Sequence, residues 1–225
     1  MAINLGGENM NKKFVMSFSG GKDSTLALYK MIKNGYTPIG LLVTVRKDAN
    51  MSWTHSITKE LLSKVSESLE IPLMLVECEV SEYETKFIET LKKAKEMGAT
   101  SCVFGDIDIL DHRKWCEERC NEVGIDAILP LWQGNREDLV YEFIDSGFST
   151  VIKTVNLRHL PSDFLGKVLN YDIVKQIKDL GCDVCGENGE YHTFVVDGPL
   201  FKEEVKFKKK GIVINEDYGN LDISI

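Results

Sequence analysis

Long apolar runs are missing from this chain, and that absence sets a first bound on what it does. The longest, Ile39 to Val45 and Ile71 to Val76, fall far short of the ~20 residues that a membrane helix needs, and they read as buried strands. Cysteine is scarce as well. Six in 225 residues (Cys78, Cys102, Cys116, Cys120, Cys182 and Cys185) do not make a disulfide scaffold, and reduced thiols suit an intracellular enzyme. There is no basic surplus either. Lys and Arg number 27 against 35 Asp and Glu, a formal net charge of −8, which excludes a broad nucleic-acid surface but leaves room for a local basic groove. The one basic cluster, Lys206 to Lys210, follows Glu203 and Glu204 and reads as the wet face of a strand. The first ten residues lack the basic start and apolar core of a secretory signal. The expectation is a cytoplasmic protein with no membrane partner, residues 1–10 forming a disordered extension and Met10 a candidate start.

What the chain does have is a regular alternation of apolar runs and helix-period segments. Strands are expected at 13–18, 37–45, 71–78, 99–105, 125–132 and 148–156, and helices at 23–34, 56–70, 82–97, 111–123 and 135–146. Gly35, Gly98, Gly124 and Gly147 stand just past four of these helices, where a left-handed cap suits glycine. Such alternation predicts an α/β fold with a parallel sheet, whose ligand sits beyond the carboxyl ends of the strands. After Asn156 the pattern changes to a helix at 171–180 and β-like stretches at 190–196, 202–208, 211–215 and 221–225, with turn signals at Asp197-Gly198-Pro199 and Tyr218-Gly219-Asn220. The expected division is a nucleotide-binding domain over 11–134 and a smaller α+β substrate-binding domain over 135–225, with 156 as the other candidate boundary.

Six residues, Ser19-Gly20-Gly21-Lys22-Asp23-Ser24, follow the first apolar run and precede the first helix. Paired glycines reach backbone angles closed to other residues, so successive N–H groups can point into one concavity, to which the helix adds its positive end. Lys22 brings a mobile charge, Ser19 and Ser24 bring hydroxyls, and Asp23 is an oxygen ligand suited to the Mg2+ that accompanies ATP. A common P-loop would need glycine at 16 and a hydroxyl residue at 23, where Met16 and Asp23 stand. The bland alternative is a solvated turn with a helix cap.

A second concentration of ionisable groups lies at Gly186-Glu187-Asn188-Gly189-Glu190-Tyr191-His192-Thr193-Phe194. Period-two geometry puts Glu190, His192 and Phe194 on one face of a strand and Tyr191, Thr193 and Val195 on the other. One face can thus present a carboxylate beside an imidazole, or the segment is an acidic turn with a satisfied histidine.

The hexapeptide in its strand-loop-helix setting resembles the PP-loop of the N-type ATP pyrophosphatases. Together with Gly105-Asp106-Ile107, Pro130-Leu131-Trp132, Leu165-Gly166-Lys167 and the glutamate loop, it closely resembles the diphthine-ammonia ligase family, over nearly the whole chain from about Lys12 to about Phe201. The resemblance implies an adenine-nucleotide α-hydrolase domain (HUP-like, Rossmann-like) followed by a family-specific C-terminal domain. It also implies an activity: amidation of diphthine, a modified histidine on elongation factor 2 of archaea and eukaryotes, with ATP and ammonium.

On that reading the 19–24 turn holds the phosphates, Lys22 and Asp23 act in catalysis, and Asp23 with Asp106 holds Mg2+. Asp106 has a helix or turn cap as its plain alternative. Gly186, Glu187, Gly189, Glu190 and His192 bind the substrates; Glu187 and Glu190 hold the trimethylammonium or the ammonium ion, and one of them deprotonates the latter. His55, after the second strand, either covers the nucleotide or is a plain helix-entry residue. His112 and Arg113 reach phosphate or line an exposed face. With no glutaminase segment in the chain, free ammonium is the expected nitrogen donor, and a homodimer is compatible with the reading.

Two rivals stand beside it. Cys182-x-x-Cys185 and Cys116-x-x-x-Cys120 invite comparison with PP-loop enzymes that thiolate tRNA, or the pyrophosphatase acts on another acid. Otherwise the fold senses ATP without cleaving it, as a regulatory module.

Overall fold

In the computed structural model residues 12–53 and 55–225 are described, so the expected extension at 1–10 lies outside the described residues. The chain divides into two compact units. The first gathers the described chain up to Phe18, Asp23–Asp48 and Ile71–Gln133; the second gathers Ser19–Lys22, Ala49–Glu70 and Gly134–Ile225. The sequence reading kept 11–134 together, whereas the glycine turn and the segment around His55 group with the later chain.

The first unit holds β1 (Lys13–Ser17), β2 (Thr37–Arg46), β4 (Leu73–Cys78), β5 (Ser101–Val103) and β6 (Asp126–Ile128), with α1 (Lys22–Lys33), α3 (Tyr83–Glu96) and α4 (Leu110–Val123) between them. These five strands pair in parallel in the order β4-β2-β1-β5-β6. Parallel strands are covered on both faces, and Phe14, Val15, Met16, Leu41, Leu42 and Val43 are accordingly buried without alternation. Strand order reverses direction between β1 and β5, the place where such sheets open a ligand crevice. The glycine turn leaves the end of β1, and Asp106 leaves the end of β5, whose Val103 pairs with Met16. Beside the sheet, Phe87 meets Trp115 edge-on at 4.9 Å, and Tyr83 stacks on the same indole at 5.3 Å.

The second unit contains the short β3 (Met51–Ser52), α2 (Lys59–Leu69), α5 (Arg136–Asp145) and α6 (Tyr171–Asp179), and β7 (Ser149–Asn156), β8 (Tyr191–Asp197), β9 (Lys208–Asn215) and β10 (Tyr218–Ser224). These last four strands form a sheet in the order β8-β7-β10-β9, and every pairing is antiparallel. Local chemistry explains the helix starts: Thr58, Asn135 and Asn170 each accept a backbone N–H from the first turn they cap. The four predicted cap glycines, 35, 98, 124 and 147, have φ of 82, 98, 72 and 85°.

Two local expectations are corrected. The stretch 202–207 forms no strand. Its backbone bonds go instead to Ser68 and Val196: Lys202 N–H to Ser68 O, Glu203 N–H to Ser68 Oγ, and Val205 N–H to Val196 O. Tyr218-Gly219-Asn220 is not a turn but the start of β10, because the reversal falls earlier, where Glu216 takes φ 51°.

Close approach at one glycine yields a test. A Cβ on Gly105 would lie 2.8 Å from the backbone nitrogen of Ser24 and 3.0 Å from the Asp23 carbonyl carbon. Gly105→Ala is therefore expected to destabilise the fold by about 1–3 kcal/mol and to displace the first turn of α1. Thermal melting and ATP titration of the variant check this; an unchanged melting temperature refutes it.

Candidate active site

The glycine turn is fastened from behind by β8. Gly20 takes φ 80°, and its carbonyl accepts the Val195 N–H at 2.9 Å. The Lys22 N–H donates to Thr193 Oγ1 at 3.0 Å, and Gly21 N–H approaches Ser19 Oγ at 3.3 Å. Side chains cannot be added on the inner side of this turn: a Cβ on Gly20 would fall 2.8 Å from Ile57, and one on Gly21 would fall 2.3 Å from the His55 ring. The Lys22 side chain is 4 % exposed, and its ammonium lies 5.6 Å from the centre of the Tyr191 ring. Ser24 and Thr25, at the start of α1, are buried.

His55 is buried against the turn. Its Nδ1 lies 2.7 Å from the Thr193 carbonyl, a bond that only a protonated Nδ1 can donate, so the lone pair of the neutral ring sits on Nε2. Burial, then the neighbouring His192 and the charges of Lys22 and Lys153, push the ring from its ordinary 6.5 down to about 3. His192, half-buried, has its ring centre 4.9 Å from that of His55.

The glutamate loop is built around an inward carboxylate. Glu190 is 3 % exposed, and its oxygens accept the N–H groups of Asp183 and Asn188, both at 3.1 Å, with the Asn188 amide at 3.3 Å. Asp183 in turn accepts the N–H groups of Cys185 and Glu187 and pairs with Arg136 at 2.5 Å. Tyr191 closes the loop by donating to the Val184 carbonyl at 2.6 Å. Gly186 and Gly189 take positive φ, and at Gly186 a Cβ would meet the Tyr191 carbonyl at 2.9 Å. Glu187, in contrast to Glu190, is partly exposed.

In the first unit, Asp106 and Asp23 are close enough to feel each other's charge. Burial raises the Asp106 carboxyl above the usual carboxylate range; the His112 ring, with Nδ1 3.1 Å from Asp106 Oδ1, works against that rise and the Asp23 charge adds to it. Two carboxylates that sense each other's charge are hard oxygen donors of the kind a hard divalent cation takes, leaving other positions for water and phosphate. His112 thus reaches a carboxylate, and Arg113 pairs with Glu117 at 2.6 Å. Cys116 and Cys120 are buried, and the Cys116 thiol points at Asp106 Oδ2, 3.9 Å away.

The second unit therefore brings together Ser19, Gly20, Gly21, Lys22, His55 and His192, with Glu190 organising the adjoining loop. Sequence reasoning passed over Thr193, Asp183, Arg136 and Lys153. Thr193 and Arg136 serve through partners distant in sequence, and Asp183 joins such a partner to N–H groups of its own loop; none of the three carried a local sign. Lys153 had one, a charge in the middle of an apolar strand.

A parallel sheet flanked by helices, with a glycine turn between β1 and α1 in the chain, is the architecture of the α/β nucleotide-binding class. The particular family follows from comparison with known proteins. Residues 12–127 match the diphthamide synthase N-terminal domain and residues 135–225 its C-terminal domain. The chain belongs to the diphthamide synthase family. It is 28 % identical over 224 residues to the diphthine–ammonia ligase of Homo sapiens, covering 88 % of this chain and 83 % of the relative. To the diphthine–ammonia ligase of Mus musculus it is 29 % identical over 214 residues, covering 83 % of this chain and 79 % of the other. A solved structure, described as a predicted subunit of tRNA methyltransferase from Methanocaldococcus jannaschii, aligns over 83 % of this chain and 97 % of its own at TM-score 0.45 and 16 % identity, too remote a likeness to bear on the site.

The His55 geometry carries a pH signature. Between pH 6.5 and about 3 the unfolded chain binds a proton that the folded one refuses, so His55 lowers stability as pH falls through that window. His55→Asn should be less stable than the parent at neutral pH by about 1 kcal/mol, the worth of one hydrogen bond, and the difference should shrink and then change sign as the pH falls toward 4. Urea unfolding across that range tests it, and a gap independent of pH refutes it.

Proposed function

We propose that this protein is an ATP-dependent ligase that converts the carboxylate of diphthine on elongation factor 2 to its amide, with ammonium as nitrogen donor. The observation that carries the reading is that β8 both leaves the glutamate loop and holds the phosphate turn, through Val195 N–H to Gly20 O and Lys22 N–H to Thr193 Oγ1. A turn suited to a polyanion and a loop rich in carboxylate are thereby tied to one strand.

The chemistry follows from leaving groups. A carboxylate does not react with ammonia, because its oxygen leaves too poorly; it first attacks the α-phosphorus of ATP and expels pyrophosphate, forming an acyl adenylate. Ammonia, formed when ammonium gives up a proton, then attacks the acyl carbon, and AMP departs as the nitrogen loses a further proton. Residues 19–24 hold the phosphates, and Lys22 offsets charge that grows on the departing pyrophosphate. Asp23 and Asp106 would hold Mg2+, which shields the phosphate oxygens when bound. Glu190 is occupied by the three donors that shape its loop, so the cation-binding role falls to Glu187, with His192 on the strand that follows the loop. The domain reading assigns nucleotide to 11–134 and substrate to 135–225, with residues 19–22 shared through their bonds to β8. The identities of the relatives support the class; the products and the acid are this reading's own.

The test is incubation with diphthine-bearing elongation factor 2, ATP, Mg2+ and ammonium, followed by mass spectrometry of the factor and assay of pyrophosphate and AMP. Conversion of the carboxylate to a carboxamide is expected. Pyrophosphate release with some other acid, and no change in the factor, would remove the substrate and keep the class. Asp23→Ala and Glu187→Ala should each lower turnover by roughly 10²–10³-fold, the scale for losing one preorganised electrostatic group, with melting temperature retained. Unchanged rates would remove those residues from the mechanism.

A further inference from the structure

Lys153 lies in the middle of β7, flanked by Ile152 and Thr154, and is itself only 3 % exposed. Among the described residues its side chain makes no hydrogen bond or ion pair. Holding an ammonium largely out of water with no bonded partner is costly, and an apolar side chain of the same length would be more stable. A buried charge kept at that cost calls for something to neutralise it.

Its position indicates what. The ladder between β7 and β8 is irregular here: Ile152 pairs with Thr193 and Thr154 with His192, which leaves Lys153 as the additional residue of a bulge opposite that step. Bulges re-aim side chains next to functional sites. The Thr193–His192 step is where β8 fastens the phosphate turn, with Thr193 Oγ1 accepting the Lys22 N–H and Thr193 O accepting from His55. The Lys153 and Lys22 charges both act on the His55 ring. The two ammonium charges thus both reach the imidazole that packs against Gly21, and the carboxylate whose charge favours the Lys153 cation, Asp222, lies on β10. Burial brings the Lys153 ammonium down to about 8, so it is still predominantly charged at neutral pH. Like charges gathered in a buried site repel each other until a polyanion joins them.

We propose that Lys153 is a ligand of the phosphate chain held by residues 19–24, a second fixed ammonium that works beside Lys22. This rests on the ATP reading above and adds to it a residue from the middle of the second sheet. Its position on a strand, and not on a loop, gives it a fixed place relative to β8 and so to the turn.

Titration calorimetry with ATP and Mg2+ on the full chain, its Lys153→Met and Lys153→Arg variants, and melting curves of each test the proposal. Lys153→Met should melt at or above the parent temperature while binding ATP roughly tenfold or more weakly, the worth of one charge-assisted hydrogen bond; Lys153→Arg should recover part of the affinity. A purely structural lysine would not raise stability and lower affinity together. Parent-like affinity in Lys153→Met overturns the proposal and leaves the ATP reading intact. A parent protein that binds no ATP overturns both. Should Lys153→Met not fold, Lys153→Gln replaces it, and failure of both to fold makes the residue structural and ends the proposal.

Discussion

Two hydrogen bonds between a turn and a strand remote from it in sequence hold this site in shape. Gly20 O and the Lys22 N–H are taken up by Val195 and Thr193 of β8, so a glycine turn that is flexible by composition is given one conformation by tertiary contact. Without Thr193 Oγ1 the buried Lys22 N–H would be left unsatisfied, at a cost of about 1–3 kcal/mol. The same threonine orients His55 through its carbonyl, and His55 in turn fills the space against Gly21. Turn, imidazole and strand therefore form one mutually dependent set.

Polar groups buried around this set are numerous for a small region. Lys22, His55, Lys153, Glu190 and Thr193 are all at most 9 % exposed. Each charge or dipole that the fold withdraws from water weakens it unless fully partnered. Glu190 is fully partnered and gives the loop its shape, whereas Lys153 is not. Retaining a group of that kind is the usual exchange between stability and activity at functional sites, and that exchange is what the proposed role of Lys153 amounts to.

Much of the architecture was legible because it is written in local rules. Buried parallel strands read as continuous apolar runs, and helix ends were marked by Gly35, Gly98, Gly124 and Gly147 at positive φ. The expected strand at 202–208 failed because alternation alone cannot foresee that Ser68 and Val196 take its backbone bonds. The expected face shared by Glu190 and His192 was likewise incomplete: Glu190 precedes β8 and turns into its own loop, toward Asp183 and Asn188. A period of two describes only residues already inside a ladder.

The sequence by itself determined the chemistry of the phosphate turn, since Ser19 to Ser24 combine glycine freedom, a cation and hydroxyls in one contiguous stretch whose local geometry follows from those residues. It also determined the strand-helix order in which the turn follows β1 and Asp106 follows β5, its parallel neighbour. Only the tertiary structure decided which carboxylate faces inward, which histidine stays neutral, and that a lysine in a β7 bulge lies opposite the strand that holds the turn. The physical reason is that burial is set by the whole fold, and the partners of Lys22 and His55 come from a segment more than a hundred residues away, as with Lys22 and Thr193, separated by 171 positions. No local pattern encodes a partner at that distance.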